Sequence, residues 1–442
     1  MNPQVTRRRF LTASPTVGAA LGLAAGAAAD KPAILGGPKA HPAPFPSWPV
    51  LDQTEERALL DTLHSGKWFR GDGQMVTKFE QVYAQLTGAR FCLATANGTS
   101  ALFTSLNALG VEPGDEVLVP PYTFIATVNV VLRQYALPVF VDTDAATFQM
   151  DARQIEATIT PRTRAIIPVH LGGNACDLDA ILPIAAHHNI PVIEDACQAH
   201  LTEWRGRKAG AWGQAGCFSF QASKNLNSGE GGAILCNDAE LRERCFAFHN
   251  NGTGLRPTGG SFTYSSSGAN LRMTEFQAAL LMAQMTRIEE QAKTRTENAA
   301  YLTSLLKEIP GITPARMYDG CTRNAYHLYM FRYDEAHFAG VPRSVFLRAL
   351  SAEGIPAAGG YKPLNTQAFL KNALQSRGYK KLFPEKALAE WDERNRCPVN
   401  DRLCGEAVWL TQTMLLAPRS SMDLIADAMR KIQANAALLP RV

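Results

Sequence analysis

Lys224 follows a short apolar run, Phe218-Ser219-Phe220, and precedes Asn225-Leu226-Asn227-Ser228-Gly229-Glu230-Gly231-Gly232. Upstream, Ile193-Glu194-Asp195-Ala196-Cys197-Gln198-Ala199-His200 ends another apolar run on a carboxylate. An amine and a carboxylate so placed suit pyridoxal phosphate. The lysine forms a Schiff base with the aldehyde, and the aspartate keeps the pyridine nitrogen protonated so that the ring accepts electrons. The commoner fate of a lysine is plain surface exposure. Against it stands the glycine run between two strands, which loses much entropy on folding unless the backbone must pass close to something.

The other candidates belong to the same chemistry. Asn97-Gly98-Thr99-Ser100-Ala101-Leu102 reads as a strand-to-helix turn. Its glycine permits close approach, and the helix N-terminus offers N–H groups to a phosphate, with Thr99 and Ser100 as hydroxyl donors. The plain alternative is that Thr99 or Ser100 only caps the helix. Ser219 supplies a further hydroxyl, or is merely a sheet-edge serine. Phe124 falls just past a strand, where an aromatic ring stacks on the pyridine or simply packs in the core. Gln198, three residues after Asp195, is placed to meet the cofactor's phenolic oxygen. Asp195 itself has the alternative role of a helix cap.

These residues need elements to position them. Short continuous apolar runs mark strands buried on both faces: Phe91–Thr95, Glu116–Pro120, Pro138–Asp142, Ala165–Val169, Pro191–Asp195, Cys217–Phe220 and Ala233–Cys236. Helical stretches separate most of them: Ser100–Leu109, Ile125–Gln134, Ala152–Thr158 and Asp179–His188. Two more helices, 52–64 and Val76–Leu86, precede the series. The pattern predicts an α/β fold with a mainly parallel seven-stranded sheet, and ligands gather at the carboxyl ends of such strands. A long helical pattern runs from Thr274 to about Glu308, after a polar loop from Asn250 to Gly268. The rest reads as a smaller α+β domain with a strand at Tyr326–Arg332 and helices at Arg343–Glu353, Arg402–Leu410 and Ser421–Ala434. The expected domains are a large one over 30–290 and a small one over 291–442.

The first 29 residues read as a leader. Arg7-Arg8-Arg9-Phe10-Leu11 is a twin-arginine pattern, Val17–Ala25 is apolar, and Ala27-Ala28-Ala29 offers a cleavage site. The expectation is export by a route that carries folded proteins, with a periplasmic or other extracytoplasmic destination; an unused leader would leave the protein in the cytoplasm. The apolar stretch is too short for a stable membrane span. The formal charge of +4 includes those three arginines, so the body is close to neutral and carries no electrostatic footprint for nucleic acid. Nine irregularly spaced cysteines suggest neither a metal site nor a disulfide framework.

Read together, the blocks Lys78-Phe79-Glu80, Ala96–Leu102, Pro113–Val117, Tyr122–Thr127, Val141-Asp142, Pro168–Leu171, Glu194–His200, Phe218–Gly232 and Gly268–Met273 resemble the DegT/StrS family of sugar aminotransferases, which have the type I fold of pyridoxal phosphate enzymes. The resemblance implies that Lys224 carries the cofactor and shuttles protons. It implies that Asp195 pairs with the pyridinium, Gln198 sits beside the ring oxygen, Phe124 stacks, and Thr99, Ser100 and Ser219 hold the phosphate. Asn270 would reach the phosphate of a neighbouring subunit, which makes the site a property of a homodimer. Arg272 and His327 would lie near the substrate. The implied reaction moves an amino group from glutamate or glutamine to a keto-sugar, free or nucleotide-linked, or to a keto-cyclitol. A sugar dehydratase of the same fold and a non-catalytic cofactor- or sugar-binding protein are the other readings. The chain departs from the family pattern at Leu201, where glycine is usual, and at Ala222-Ser223, where proline-threonine is common.

Overall fold

The computed structural model describes residues 31–255 and 264–439. The leader, with its twin arginines, lies outside the described residues, as does part of the loop after Asn250. Seven strands build the large sheet: β1 (Phe91–Thr95), β2 (Glu116–Val119), β3 (Leu137–Phe140), β4 (Thr163–Ile166), β5 (Ile193–Asp195), β6 (Ala215–Ser219) and β7 (Gly232–Cys236). Ladders and the bridges Ile166–Val192 and Val169–Asp195 give the order β3-β2-β4-β5-β6-β7-β1. Only β7 runs antiparallel, against both β6 and β1. All seven expected strands are present, with ends shifted by a few residues. Val117, Leu118, Val119, Ile193, Cys217 and Ile234 are fully buried, because helices cover both faces.

The helices start where side chains supply the missing acceptors. Asp52 and Glu55 form a reciprocal capping box at Gln53–His64, and Asp177 accepts from Ala180 N at Leu178–His187. The single long helix expected from Thr274 is instead two, Glu275–Met285 and Ile288–Leu306. At the break the Thr286 hydroxyl donates to the Ala283 carbonyl at 2.7 Å, and Arg287 turns to Glu55 and the Val50 carbonyl. Local side-chain competition and a tertiary ion pair thus interrupt an otherwise periodic pattern.

The smaller sheet is antiparallel: β8 (Ile312–Pro314), β9 (Leu328–Tyr333) and β10 (Ala407–Thr411), with β9 in the middle. The helix expected over Arg402–Leu410 therefore divides. Pro398–Glu406 is helical, and Val408-Trp409-Leu410 pairs with Tyr329-Met330-Phe331. That helix starts early because Asp142, from far upstream, accepts from the N–H groups of Val399 and Asn400 at 3.0 and 2.9 Å.

Two segments pack away from their sequence neighbours. Residues 31–45 lie on the C-terminal core, where Ile34, Leu35 and Phe45 meet the cluster built on Phe331, Phe346 and Ile425. Residues 364–397 lie on the large sheet: Trp391 donates to the Pro138 carbonyl at 2.9 Å, and the Asn395 amide oxygen accepts from Phe140 N at 2.7 Å, at the β3 edge.

Candidate active site

The strand ends converge on a cavity of about 610 Å³. Its floor and one wall come from the large sheet: Asn97, Gly98, Thr99, Phe124, Thr127, Asp195, Cys197, Gln198, Ser219 and Lys224. The opposite wall comes from the segments around the smaller sheet, with His327, Leu328, Tyr361 and Trp409.

Lys224 sits in the hairpin that joins β6 to its antiparallel neighbour β7. Hydrogen bonds from Phe220 N to Gly231 O and from Ala222 N to Gly229 O, at 2.8 and 2.9 Å, continue the ladder into the loop. Gly229 has φ +81°, which the turn requires and which glycine adopts without strain. Among the described residues the Lys224 amine has no hydrogen-bond or ion-pair partner. Burial lowers its pKa from the ordinary lysine value, against the opposing pull of Cys197 and Asp195. It is thus closer to a neutral nucleophile than an exposed lysine would be.

Strand alternation separates Glu194 from Asp195. Glu194 points into the protein, fully buried, and accepts from His170 Nε2 at 2.9 Å and from the N–H groups of Gly210, Trp212 and Gly213 at 2.7 Å. Burial alone would raise its pKa, but His170 and these donors hold it below the ordinary value. Asp195 faces the cavity. One of its oxygens accepts from the Thr127 hydroxyl at 2.9 Å, the other from Cys197 N at 3.2 Å. Thr127 is itself paired with Thr123 at 2.9 Å. The carboxylate is therefore fixed, with lone-pair capacity left toward the cavity.

At the turn after β1 the cap of helix Gly98–Ala108 is Asn97, which accepts from Ser100 N at 2.8 Å. Thr99 is free of that duty and lines the cavity. Ser100 does not: one residue on, about 100° further around the helix, it is buried and its N–H is already used. The N–H groups of Gly98 and Thr99 have no partner among the described residues. A side chain at Gly98 would come within 2.8 Å of Ser219 Cβ and 2.9 Å of Cys197 Sγ, so only glycine lets the helix end settle over β6.

The remaining expected residues fall in different places. Ser219 and Phe124 line the cavity, Phe124 with 56% of its surface exposed. Gln198 accepts from Gly172 N at 2.7 Å and donates to the Tyr361 hydroxyl at 3.1 Å, leaving one N–H. Asn270 is exposed and does not line this cavity; Arg272 lines a second one with Phe69, Arg70 and Tyr264. His327 does line it. Its Nδ1 lies 3.2 Å from the Asn225 amide oxygen, whose amide nitrogen donates to the Ala325 carbonyl at 2.8 Å, so Nδ1 carries the proton. Tyr361, Trp409 and Thr127 were missed from the sequence. The two aromatic residues lie more than a hundred positions beyond the strand ends they face, with no local motif.

The donor set fits pyridoxal phosphate: an unpaired lysine amine, a fixed carboxylate, and a helix N-terminus with free N–H groups and two hydroxyls in one cavity. Residues 49–426 match the DegT/DnrJ/EryC1/StrS aminotransferase family. The chain belongs to that family. As an aminotransferase of this group it is a pyridoxal-phosphate-dependent enzyme, and its architecture is the type I fold. The enzyme is 34% identical to 3-amino-5-hydroxybenzoate synthase of Amycolatopsis mediterranei (strain S699), over 88% of this chain and 98% of the relative. It is 35% identical to the L-glutamine:2-deoxy-scyllo-inosose aminotransferase of Streptomyces fradiae, over 92% and 98%. The crystal structure of 3-amino-5-hydroxybenzoic acid synthase superposes with a TM-score of 0.79 at 34% identity, covering 89% of this chain and 98% of that one.

Two buried histidines make the stability of the aminotransferase acid-sensitive. Burial, then the neighbouring Lys224, pushes His200 down to about 3; burial, then Arg70, does the same to His249. A histidine whose pKa is depressed on folding stays neutral in the native state while the unfolded chain takes up a proton, so stability falls as pH drops from 6.5 toward 3. Between pH 7 and 5 each should remove about 2 kcal/mol. Urea unfolding midpoints at the two pH values should show this, and His249→Gln should flatten the slope; an unchanged slope would contradict the assignment.

Proposed function

We propose that this aminotransferase moves an amino group from L-glutamine or L-glutamate to a ketone on a polyhydroxylated ring, a keto-cyclitol or a keto-sugar. The observation that carries the reading is one cavity with two unlike walls: Lys224, Asp195 and a helix N-terminus on one side, Tyr361 and Trp409 on the other. Aromatic faces suit the apolar faces of a saturated ring, while Gln221 and Glu230 offer polar contacts to its hydroxyls. The name of the Streptomyces fradiae relative, an L-glutamine:2-deoxy-scyllo-inosose aminotransferase, supports a cyclitol ketone as acceptor.

Pyridoxal phosphate, when bound, would supply an amine-reactive aldehyde and a ring that withdraws electrons. Lys224 would hold the cofactor and move a proton at Nζ. Asp195, fixed by Thr127, would keep a proton on the pyridine nitrogen. Phe124 would offer its face to the ring, Gln198 its free N–H to the ring oxygen, and Thr99, Ser219 and the Gly98 and Thr99 N–H groups would hold the phosphate. Ser100 supports that turn from inside the helix. Asn270 acts on the site of a second copy, in a homodimer whose contact face includes the exposed Trp68, Phe69 and Tyr264. The leader directs export by the twin-arginine route, after the cofactor has been loaded. Among the described residues no helix is long and apolar enough to cross a membrane.

The deciding experiment is the visible spectrum of the cofactor-loaded protein before and after L-glutamine and L-glutamate. Bleaching with release of the keto acid is expected, followed by recovery of the band on adding a keto-cyclitol. An unchanged band with both donors would favour a binding-only protein. Recovery only with a nucleotide-linked keto-sugar would overturn the free-ring acceptor.

A further inference from the structure

Residues 31–48 precede the segment matched by the family, yet they cross from the small domain to the lysine loop. At one end Glu353, fully buried, accepts from Ala33 N and Ala40 N at 2.8 Å and pairs with Lys431 at 3.0 Å. At the other end the Trp48 indole N–H donates to the Ala222 carbonyl at 3.0 Å, two residues before Lys224. The arm is then fastened again at Val50, whose carbonyl accepts from Gln284 Nε2 at 2.8 Å.

The Trp48 bond has a particular place among the contacts of the lysine loop. Within residues 221–224, the other hydrogen bonds are internal to the hairpin and its strand: Ala222 N to Gly229 O, Lys224 N to Gln221 O, Ser223 to the Gln221 side chain, Gln221 N to Ser219 Oγ, and Asn227 Nδ2 to Lys224 O. Such bonds move with the loop. Asn225 ties the far side of the lysine to the Ala325 carbonyl. Trp48 ties the near side, so Lys224 is suspended between two anchors that belong to other parts of the fold.

The indole is itself braced. Arg295 is fully buried, and among the described residues no carboxylate faces it. Its Nε and Nη2 donate to the Gln412 side-chain oxygen at 2.9 and 2.5 Å, and its guanidinium carbon lies 5.4 Å from the Trp48 ring centroid. A buried cation without a counter-ion is unfavourable unless something compensates it. The indole face does so, and the cation in turn holds the ring in place.

We propose that Trp48 is a positioning residue for Lys224, holding the Ala222 carbonyl while Arg295 braces its ring. This rests on Lys224 being the cofactor lysine. Loss of the tether lets the loop swing, exposes the amine to water and misplaces the proton that Lys224 moves. Misplacement by about 1 Å is enough to lower a rate by up to about 100-fold.

The test is Trp48→Phe, which keeps an aromatic ring, smaller than the indole, near Arg295 and removes the N–H donor, beside Trp48→Ala. In the holoenzyme, kcat should fall about 10- to 100-fold with KM for the donor within about 2-fold. In cofactor-free protein, the pH midpoint for labelling Lys224 with trinitrobenzenesulfonate, read by peptide mass, should rise toward that of an ordinary lysine. Wild-type kcat and an unshifted labelling midpoint in Trp48→Phe would overturn the proposal. So would a fall in thermal midpoint alone, which would make the residue merely structural. Should Trp48→Ala fail to fold, Trp48→Phe decides. Lys224→Ala separates the two levels: borohydride-fixed cofactor persisting in that variant would refute the lysine assignment, and its loss together with an unaffected Trp48→Phe would refute only the tether.

Discussion

Replacing Lys224 by alanine should lower kcat for transamination by about 10³- to 10⁴-fold, the range expected when a positioned proton-transfer group is removed. Among the described residues lining the cavity it is the one lysine, and its amine has no partner to release. The protein should still fold, because the backbone bonds of the hairpin do not depend on the side chain. It should also still bind the cofactor noncovalently through the helix N-terminus and Asp195. Borohydride treatment followed by peptide mass should then find no cofactor on any lysine of the variant. Turnover within about 10-fold of wild type would remove Lys224 from the mechanism.

Asp195→Asn should cost about 100-fold or more in kcat, comparable to removing one preorganised electrostatic group from a buried site. The substitution keeps the shape and loses the charge. The Asn side chain can still accept from Thr127 or from Cys197 N, but its NH₂ then stands where an oxygen accepted and faces the other donor. In the proposed arrangement the pyridine nitrogen would lose the anion that keeps it protonated, while Thr99, Ser219 and the helix N-terminus would be untouched. Cofactor content after dialysis should therefore stay near wild type while the rate of the glutamine half-reaction collapses. Equal loss of both would indicate a binding role instead. Thr127→Val should move the same rate in the same direction by less, since it removes one hydrogen bond to the carboxylate and leaves the charge.

Much of this was legible in the residues alone. Strands buried on both faces are continuous apolar runs, so all seven announce themselves without reference to partners. Their order does not, because it is fixed by pairing between distant segments such as Ile166 with Val192. Lys224, Asp195 and the Asn97–Ser100 turn were visible because each lies at a strand end, where local pattern and function coincide. Within that turn the sequence could not say which residue caps the helix. Asn97 does, which frees Thr99 and turns Ser100 inward; a 100° step along a helix decides between cavity and core.

What the sequence could not give was every contact made across the fold. The strand at Ala407–Thr411 read as the end of a helix because it follows Pro398–Glu406 without a break; Val408, Trp409 and Thr411 favour the extended form, and pairing with Leu328–Arg332 fixes it. The helix before it is capped by Asp142, some 257 residues away. Tyr361 and Trp409 become a wall of the site only when the segments around the smaller sheet pack against the strand ends of the large one. The sequence by itself determined the chemistry, because reactive groups and the turns that present them are encoded within a few residues of one another. The tertiary structure alone decided what faces that chemistry, because the cavity's second wall, the Trp48–Ala222 hydrogen bond and the stacking of Arg295 on the indole exist only where segments far apart in the chain come together.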